Sequence, residues 1–290
     1  MDNRDEVRTF LTTRRAKLSA ADAGPAGFTT GPRRVPGLRR GEVAQLAGVS
    51  VEYYARLERG NLAGVSESVL HALARALRLD DAERAHLFDL ARAAGPGPRR
   101  TRRPAPAGVR PPVQRLVDGL ADLPAYVRNA RLDLLAVNRL ARALYAPVFE
   151  PGFDPGSGQT PNTARFTFLD PRARTFWPAW ERMADETVAV LRGEAGRDPY
   201  DRGLSDLVGE LSTRSEEFRT RWAAHDVRQH STGTKDYHHP VVGDLRLDYE
   251  SFVPTADPAL TLIVLSAAAG TPSADGLRLL ASWAVAEHPS

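Results

Sequence analysis

Residues 95–112, GPGPRRTRRPAPAGVRPP, constrain the architecture of this chain more than any other stretch. The segment is rich in proline and arginine, has no acidic residue, and carries Val109 as its one bulky apolar side chain. Proline withholds a backbone donor and fixes φ, so such a run builds neither a helix interior nor a sheet and reads as an extended linker. A chain of 290 residues is long enough for two domains. The linker therefore divides it into residues 1–94, the connector 95–112, and residues 113–290.

The two parts differ in charge. Residues 1–110 hold 20 Lys or Arg against 12 Asp or Glu, a net of +8; residues 111–290 hold 19 against 24, a net of −5. A basic part joined to an acidic one points to a polyanionic partner for the first alone. Of the 39 basic residues only Lys17 and Lys235 are lysine. The absence of cysteine excludes disulfides, thiolate metal sites and a cysteine nucleophile. No stretch reaches the ~18 uncharged apolar residues of a membrane span. The start, MDNRDEVRTFLTTRR, is too charged for a signal-peptide core, so the expected location is cytoplasmic.

Before the linker, five helices are expected. Residues 4–18 place Val7, Phe10, Leu11 and Leu18 on one face. Two short helices follow at 40–47 and 50–59. A fourth, 66–78, begins at a Ser66 cap, and a fifth, 80–94, opens with Asp80 and Glu83 at capping-box spacing.

The segment Arg40–Gly60 gives these helices a purpose. Ala44 is small enough for close helix approach, and Gly48 stands where a short inter-helix turn needs positive φ. Val49 is the apolar plug of that turn, Ser50 caps the next helix, and Tyr54 and Leu57 face inward. The run E-V-A-x-L-A-G-V-S-x-x-Y-Y-x-R-L-E-R-G resembles the helix-turn-helix of the phage-repressor-like (XRE or Cro/CI) family. That resemblance implies a homodimer that lays the second helix of the motif in the major groove of double-stranded operator DNA. In that pose Arg56 is suited to donate two hydrogen bonds to guanine, Glu52 to accept from cytosine, and Val51 to touch a thymine methyl. Ser50, Tyr53, Arg39 and Arg40 are placed for phosphates. Glu58 and Arg59 read as structural or solvent-facing. Residues 19–38, unusually long for a connector between the first two helices, include Arg33 and Arg34. Two readings stand open for them: a basic loop reaching the backbone or minor groove, and a solvated flap.

After the linker, short strands at 126–129 and 132–137 precede helices at 138–146, 170–193, 201–213 and 215–224. Strands are expected at 227–231, 235–241, 244–253 and 260–266, and a last helix at 273–285. Leu245, Leu247, Tyr249 and Ser251 alternate with Arg246, Asp248, Glu250 and Phe252, the period of a half-buried strand. The pattern is α+β, an antiparallel sheet with helices on one side.

Specific landmarks lie within it: Phe168-Leu-Asp-Pro171, Arg174, Trp180, Gly196-Arg-Asp-Pro199, Leu207-Val-Gly-Glu-Leu211, Arg214-Ser215, Phe218, Trp222, His225-Asp226-Val227, Gly233-x-Lys235 and His239-Pro-Val-Val-Gly243. With these, the sequence from about 112 resembles the MmyB-like ligand-binding domain of actinobacterial regulators. The resemblance implies a PAS-like fold around a pocket and a small, largely apolar, fatty-acid-like ligand. On that reading Phe166, Phe168, Trp177, Trp180, Phe218 and Trp222 supply apolar wall, while Arg214, His225 or His239 holds a carboxylate or hydroxyl. The same aromatics also suit a plain core, the commoner role of such residues, and a domain that only dimerises remains the alternative.

Metal and enzyme readings are weaker. Histidines 225, 230, 238 and 239 lack the spacing of a metal motif, and adjacent His238 and His239 on a strand point to opposite faces. No phosphate-cradling glycine loop, G-x-S-x-G elbow or paired-carboxylate constellation occurs. No cofactor, no metal and no catalytic residue are expected.

Overall fold

The computed structural model describes residues 3–19, 37–95, 108–149, 160–224 and 232–287. The chain forms two compact units. The first comprises residues 1–100 with 192–205 and 220–229, and the second residues 101–191, 206–219 and 230–290.

The first unit opens with five helices: α1 (Asn3–Lys17), α2 (Arg40–Leu46), α3 (Val51–Glu58), α4 (Glu67–Ala76) and α5 (Asp81–Ala94). The starts of α3, α4 and α5 are set by side-chain caps. Ser50 Oγ accepts from Tyr53 N at 3.0 Å, and Ser66 Oγ from Val69 N at 3.4 Å. Asp80 and Glu83 complete a reciprocal capping box at 2.8 and 3.1 Å, as their spacing predicts. The apolar faces of these helices close over one core, with Phe10, Leu11, Val43, Tyr54, Leu57, Leu73 and Leu87 fully buried. Two glycines at positive φ permit close backbone approach. A Cβ on Gly37 would fall 2.6 Å from Ala16 Cα, and one on Gly60 would fall 2.5 Å from the Arg4 carbonyl oxygen.

The later elements are α6 (Pro111–Gly119), β1 (Ala125–Asn129), β2 (Leu134–Val137), α7 (Arg139–Leu144), α8 (Ala146–Phe149), α9 (Thr163–Leu169), α10 (Ala173–Phe176), α11 (Trp180–Arg197), α12 (Arg202–Arg214), α13 (Glu216–Ala223), β3 (Thr232–His239), β4 (Gly243–Phe252), β5 (Leu260–Ser266) and α14 (Pro272–Glu287). The strands form one antiparallel sheet in the order β2-β1-β5-β4-β3. Alternation sorts their side chains. Tyr126, Tyr237, Leu245, Leu247, Tyr249, Ile263 and Leu265 point to the face that carries the main core, shared with residues of α7, α9, α10, α11 and α14. Ala125, Val127, Leu260 and Leu262 point to the other face, where Val113 and Val117 of α6 cover them.

Three local expectations change. The helix expected over 170–193 is interrupted at Pro178, which separates α10 from α11 because proline cannot continue a helical hydrogen-bond ladder. Helix α9 lies just ahead of that span, started by Asn162, whose side chain accepts from Arg165 N at 2.9 Å. Helix α6 begins inside the proline-rich run, with Pro111 and Pro112 in its first turn, where a missing N–H costs nothing. The expected strand at 227–231 and most of the connector 19–38 lie outside the described residues.

Asn138 fastens this sheet. Its Oδ1 accepts from Ala125 N and Ala141 N at 3.2 and 2.8 Å, and its Nδ2 donates to the Leu120 and Leu123 carbonyls, each at 2.7 Å. One buried amide thus satisfies four backbone groups of three segments.

Candidate functional site

The turn between α2 and α3 has the geometry its residues require. Gly48 adopts φ +65°, and Val49 N donates to the Ala44 carbonyl at 3.0 Å. Ala44, Tyr54 and Leu57 are buried, which fixes how α3 rolls on the rest of the bundle. The residues left outward are Val51, Glu52 and Arg56, with Tyr53 half-buried beside them. The Arg56 guanidinium rests over the Tyr53 ring, 4.8 Å from its centre, which holds the cation at the surface of α3, with no acidic partner among the described residues. Ser50 is exposed at the N-terminus of the same helix, a position where backbone N–H groups attract phosphate.

Glu58 organises this face from below. It is 2% exposed and accepts from Arg15 Nε of α1 at 2.6 Å and from Arg40 Nε of α2. Arg15 also donates to the Leu38 carbonyl at 2.8 Å. Of the two sequence readings of Glu58, the structure selects the structural one: its carboxylate ties α1 and α2 to α3. Its hydrogen bond raises the pKa of Arg40 above the ordinary guanidinium value, so this half-exposed arginine stays a fixed cation. Arg39 and Arg59 are exposed. Arg33 and Arg34 lie outside the described residues.

The second unit holds a small, open cavity between the sheet and the helices. From the sheet come Tyr126 and Arg128 of β1, Lys235 of β3, Tyr249 of β4 and Ile263 of β5. From the helices come Tyr145 after α7, Thr163 and Thr167 of α9, Trp177 after α10, and Met183, Glu186, Thr187 and Val190 of α11. Leu132, at φ +65°, completes the wall. The Tyr145 hydroxyl meets those of Tyr126 and Tyr237 at 3.4 and 3.0 Å. Burial pushes the Tyr145 and Tyr237 phenols well above their usual range, and it pushes Tyr249 up to about 12, with Glu186 adding to the rise.

Of the nine residues expected to hold ligand, Trp177 lines this cavity. Phe166 packs edge-on against Phe176 and Trp177. Phe168 packs between Trp180 and Phe218, and the Trp180 indole donates to the Thr167 carbonyl at 2.9 Å. These four aromatics follow the core reading. Arg214 pairs with Glu210 at 3.1 Å and is half-exposed. His239 is buried; its Nδ1 accepts from Val241 N and Val242 N at 3.2 and 3.4 Å, so the proton sits on Nε2, which donates to the Ala143 carbonyl at 3.0 Å. Trp222 stacks against the Arg192 guanidinium, 4.2 Å away, in the first unit, where Arg192 also pairs with Glu6 at 2.6 Å. His225 lies outside the described residues.

Apart from Trp177, sequence reasoning missed the lining of this cavity, including its charged residues Arg128, Lys235 and Glu186. A signal for one was present: Lys235 and Tyr237 share a strand parity, so a core-facing Tyr237 implies an inward Lys235. Among the described residues no His, Asp or Glu group gathers three potential metal ligands, and no helix is long and apolar enough to cross a membrane.

Comparison with known families accords with this geometry. A helix-turn-helix domain model matches residues 7–87, and the model of the MmyB-like transcription regulator ligand binding domain matches residues 109–280, more than half of the chain. No curated protein matches it. The chain belongs to the MmyB-like transcription regulators, with a DNA-binding helix-turn-helix ahead of a ligand-binding domain.

Proposed function

We propose that this protein is a cytoplasmic, homodimeric, sequence-specific regulator that reads operator DNA with α3 and changes its affinity when a small ligand fills the cavity between sheet and helices. The observation that carries the reading is the outward face of α3. Val51, Glu52 and Arg56 are exposed on a helix whose opposite side is locked into the core and whose start is capped by Ser50. Arg56 contacts a base edge; Ser50, Tyr53, Arg39 and Arg40 contact phosphates and set the register. Arg33 and Arg34 extend the phosphate contact. Two copies are needed because helix-turn-helix proteins of this shape read paired half-sites.

The sensor acts by linkage. A ligand that binds one conformation of the second unit more tightly shifts the population toward it, and only that difference in affinity alters DNA binding. Trp177, Met183, Val190, Leu132 and Ile263 form an apolar arc, which supports a ligand with an apolar body, the character that a fatty-acid-like reading requires. A sheet closed by helices over a cavity supports the PAS-like reading of the domain, and nothing in the cavity's residues calls for catalysis.

The test is selection of bound duplexes from a random pool by wild type and by Arg56→Ala. Loss of preference at one position of each half-site, by about tenfold, is expected for one bidentate contact. A uniform loss at all sequences removes Arg56 from base reading. Native mass spectrometry of protein from its own host tests the sensor. A retained small molecule supports it, and an empty dimer whose operator affinity ignores host extract leaves a dimerisation domain only.

A further inference from the structure

Strand alternation places two cations where a sheet normally presents apolar side chains. On β1, Tyr126 and Arg128 share the inner face; on β3, Lys235 and Tyr237 do. Registers join these strands through β4 and β5, with Tyr126 opposite Ile263, Leu265 opposite Tyr249, and Leu247 opposite Lys235. Both cations line the cavity and both are half-buried. Among the described residues neither makes an ion pair or a side-chain hydrogen bond; the Lys235 ammonium rests over the Tyr249 ring, 4.8 Å from its centre. Half-buried cations facing a cavity without carboxylate partners carry a desolvation cost that an incoming anion relieves.

The helix side has the opposite chemistry. Thr167 and Thr187 donate their hydroxyl protons to the carbonyls of Thr163 and Met183, each at 2.8 Å, and Thr163 donates to the Leu132 carbonyl at 3.5 Å. Their oxygens therefore face the cavity as acceptors only. Glu186, beside Thr187 on α11, adds a carboxylate. A long alkyl chain laid along this wall would strip water from these acceptors and return no hydrogen bond.

We infer that the cavity takes a compact organic acid bearing a hydroxyl or amino group: the sheet cations Arg128 and Lys235 receive its anion, and the acceptors of α9 and α11 receive its donor. This rests on the sensor reading above and specifies its ligand class. The apolar arc around Trp177 and Met183 then holds a short aromatic or branched body between the two ends.

The experiment is thermal unfolding of the full chain with 4-hydroxyphenylacetate, 3-hydroxybenzoate and 4-hydroxybenzoate. Phenylacetate lacks the donor, 4-hydroxyphenylacetamide lacks the anion, and dodecanoate lacks the compact body. At least one hydroxy acid is expected to raise the wild-type midpoint by about 3 °C or more at saturation, beyond any of the three controls. Lys235→Met and Arg128→Met are expected to lose the shift while unfolding, without ligand, no lower than wild type, and Lys235→Arg to retain it. A structural role for Lys235 would instead lower the unliganded midpoint. The inference is overturned if no hydroxy acid stabilises, if the amide or dodecanoate stabilises as much, or if both methionine variants keep the shift. Dodecanoate moving operator binding while the hydroxy acids do nothing overturns the ligand class and leaves the sensor reading intact. The mass spectrometric test above judges that reading independently.

Discussion

Glu58→Ala tests how the DNA-reading helix is held. The carboxylate is 2% exposed, its partner Arg15 15% and its partner Arg40 57%. Removing one member of a buried pair costs about 3–5 kcal/mol, because the remaining charge stays buried without compensation. The Arg15 arm falls under that rule, softened by its hydrogen bond to the Leu38 carbonyl, while the exposed Arg40 arm contributes at most about 1 kcal/mol. The expected total is about 3 kcal/mol, roughly a hundredfold loss of local protection. Amide hydrogen exchange of residues 51–58 in the full chain reads it directly. Operator binding should weaken for all sequences alike, since the whole α3 face loses its fixed roll. Arg15→Ala should cost more than Arg40→Ala. Protection unchanged within threefold in Glu58→Ala, or the reverse order of the two arginines, would refute the ion-pair account of α3 placement.

Three further outcomes follow from geometry already described. Asn138→Ala strands four backbone groups in a buried site; a loss of about 3 kcal/mol or more is expected in urea unfolding followed by tryptophan fluorescence. Gly48→Ala meets no atom within 4 Å but must adopt φ +65°, so it should cost about 1–2 kcal/mol from backbone strain alone, and a Gly48→Asn variant should cost less. Tyr54, Tyr145, Tyr237 and Tyr249 all have raised pKa values in the folded chain, Tyr249 at about 12. Their raised values mean the unfolded chain releases these protons first, so stability is full below the unfolded value near 10 and falls as pH rises toward the folded values. Absorbance near 295 nm should therefore show these phenolates forming together with alkaline unfolding; ionisation of all tyrosines near pH 10 in a chain that remains folded would contradict their burial.

The recognition helix was legible because its determinants are local. A capping serine, a positive-φ glycine and an i, i+3 apolar pair act within a few residues, and each appears at its expected place from Ala44 to Leu57. The same is true of the Asp80–Glu83 box and of the strand alternation from Leu245 to Ser251. The break at Pro178 is equally local, since proline cannot continue the helical ladder, although the expected helix runs through it from 170 to 193. Glu58 was half legible: its position next to Leu57 left it structural or exposed, and only Arg15, 43 residues away in sequence, decides between them.

The sensor site divides the same way. Sequence alone determined the α+β pattern and the family resemblance, since periodicity and motif spacing are properties of the linear chain. Tertiary structure decided which aromatics are core and which residues line the cavity. Phe166 packs on Phe176 and Trp177, and Phe168 on Trp180 and Phe218, while Arg128, Glu186 and Lys235, from a strand, a helix and another strand far apart in sequence, line one cavity. A side chain's parity is written in its own strand, but what stands opposite depends on which strands pair and which helix covers them. That is why the convergence of Arg128 and Lys235 on one cavity, with no ion pair among the described residues, came from the packing.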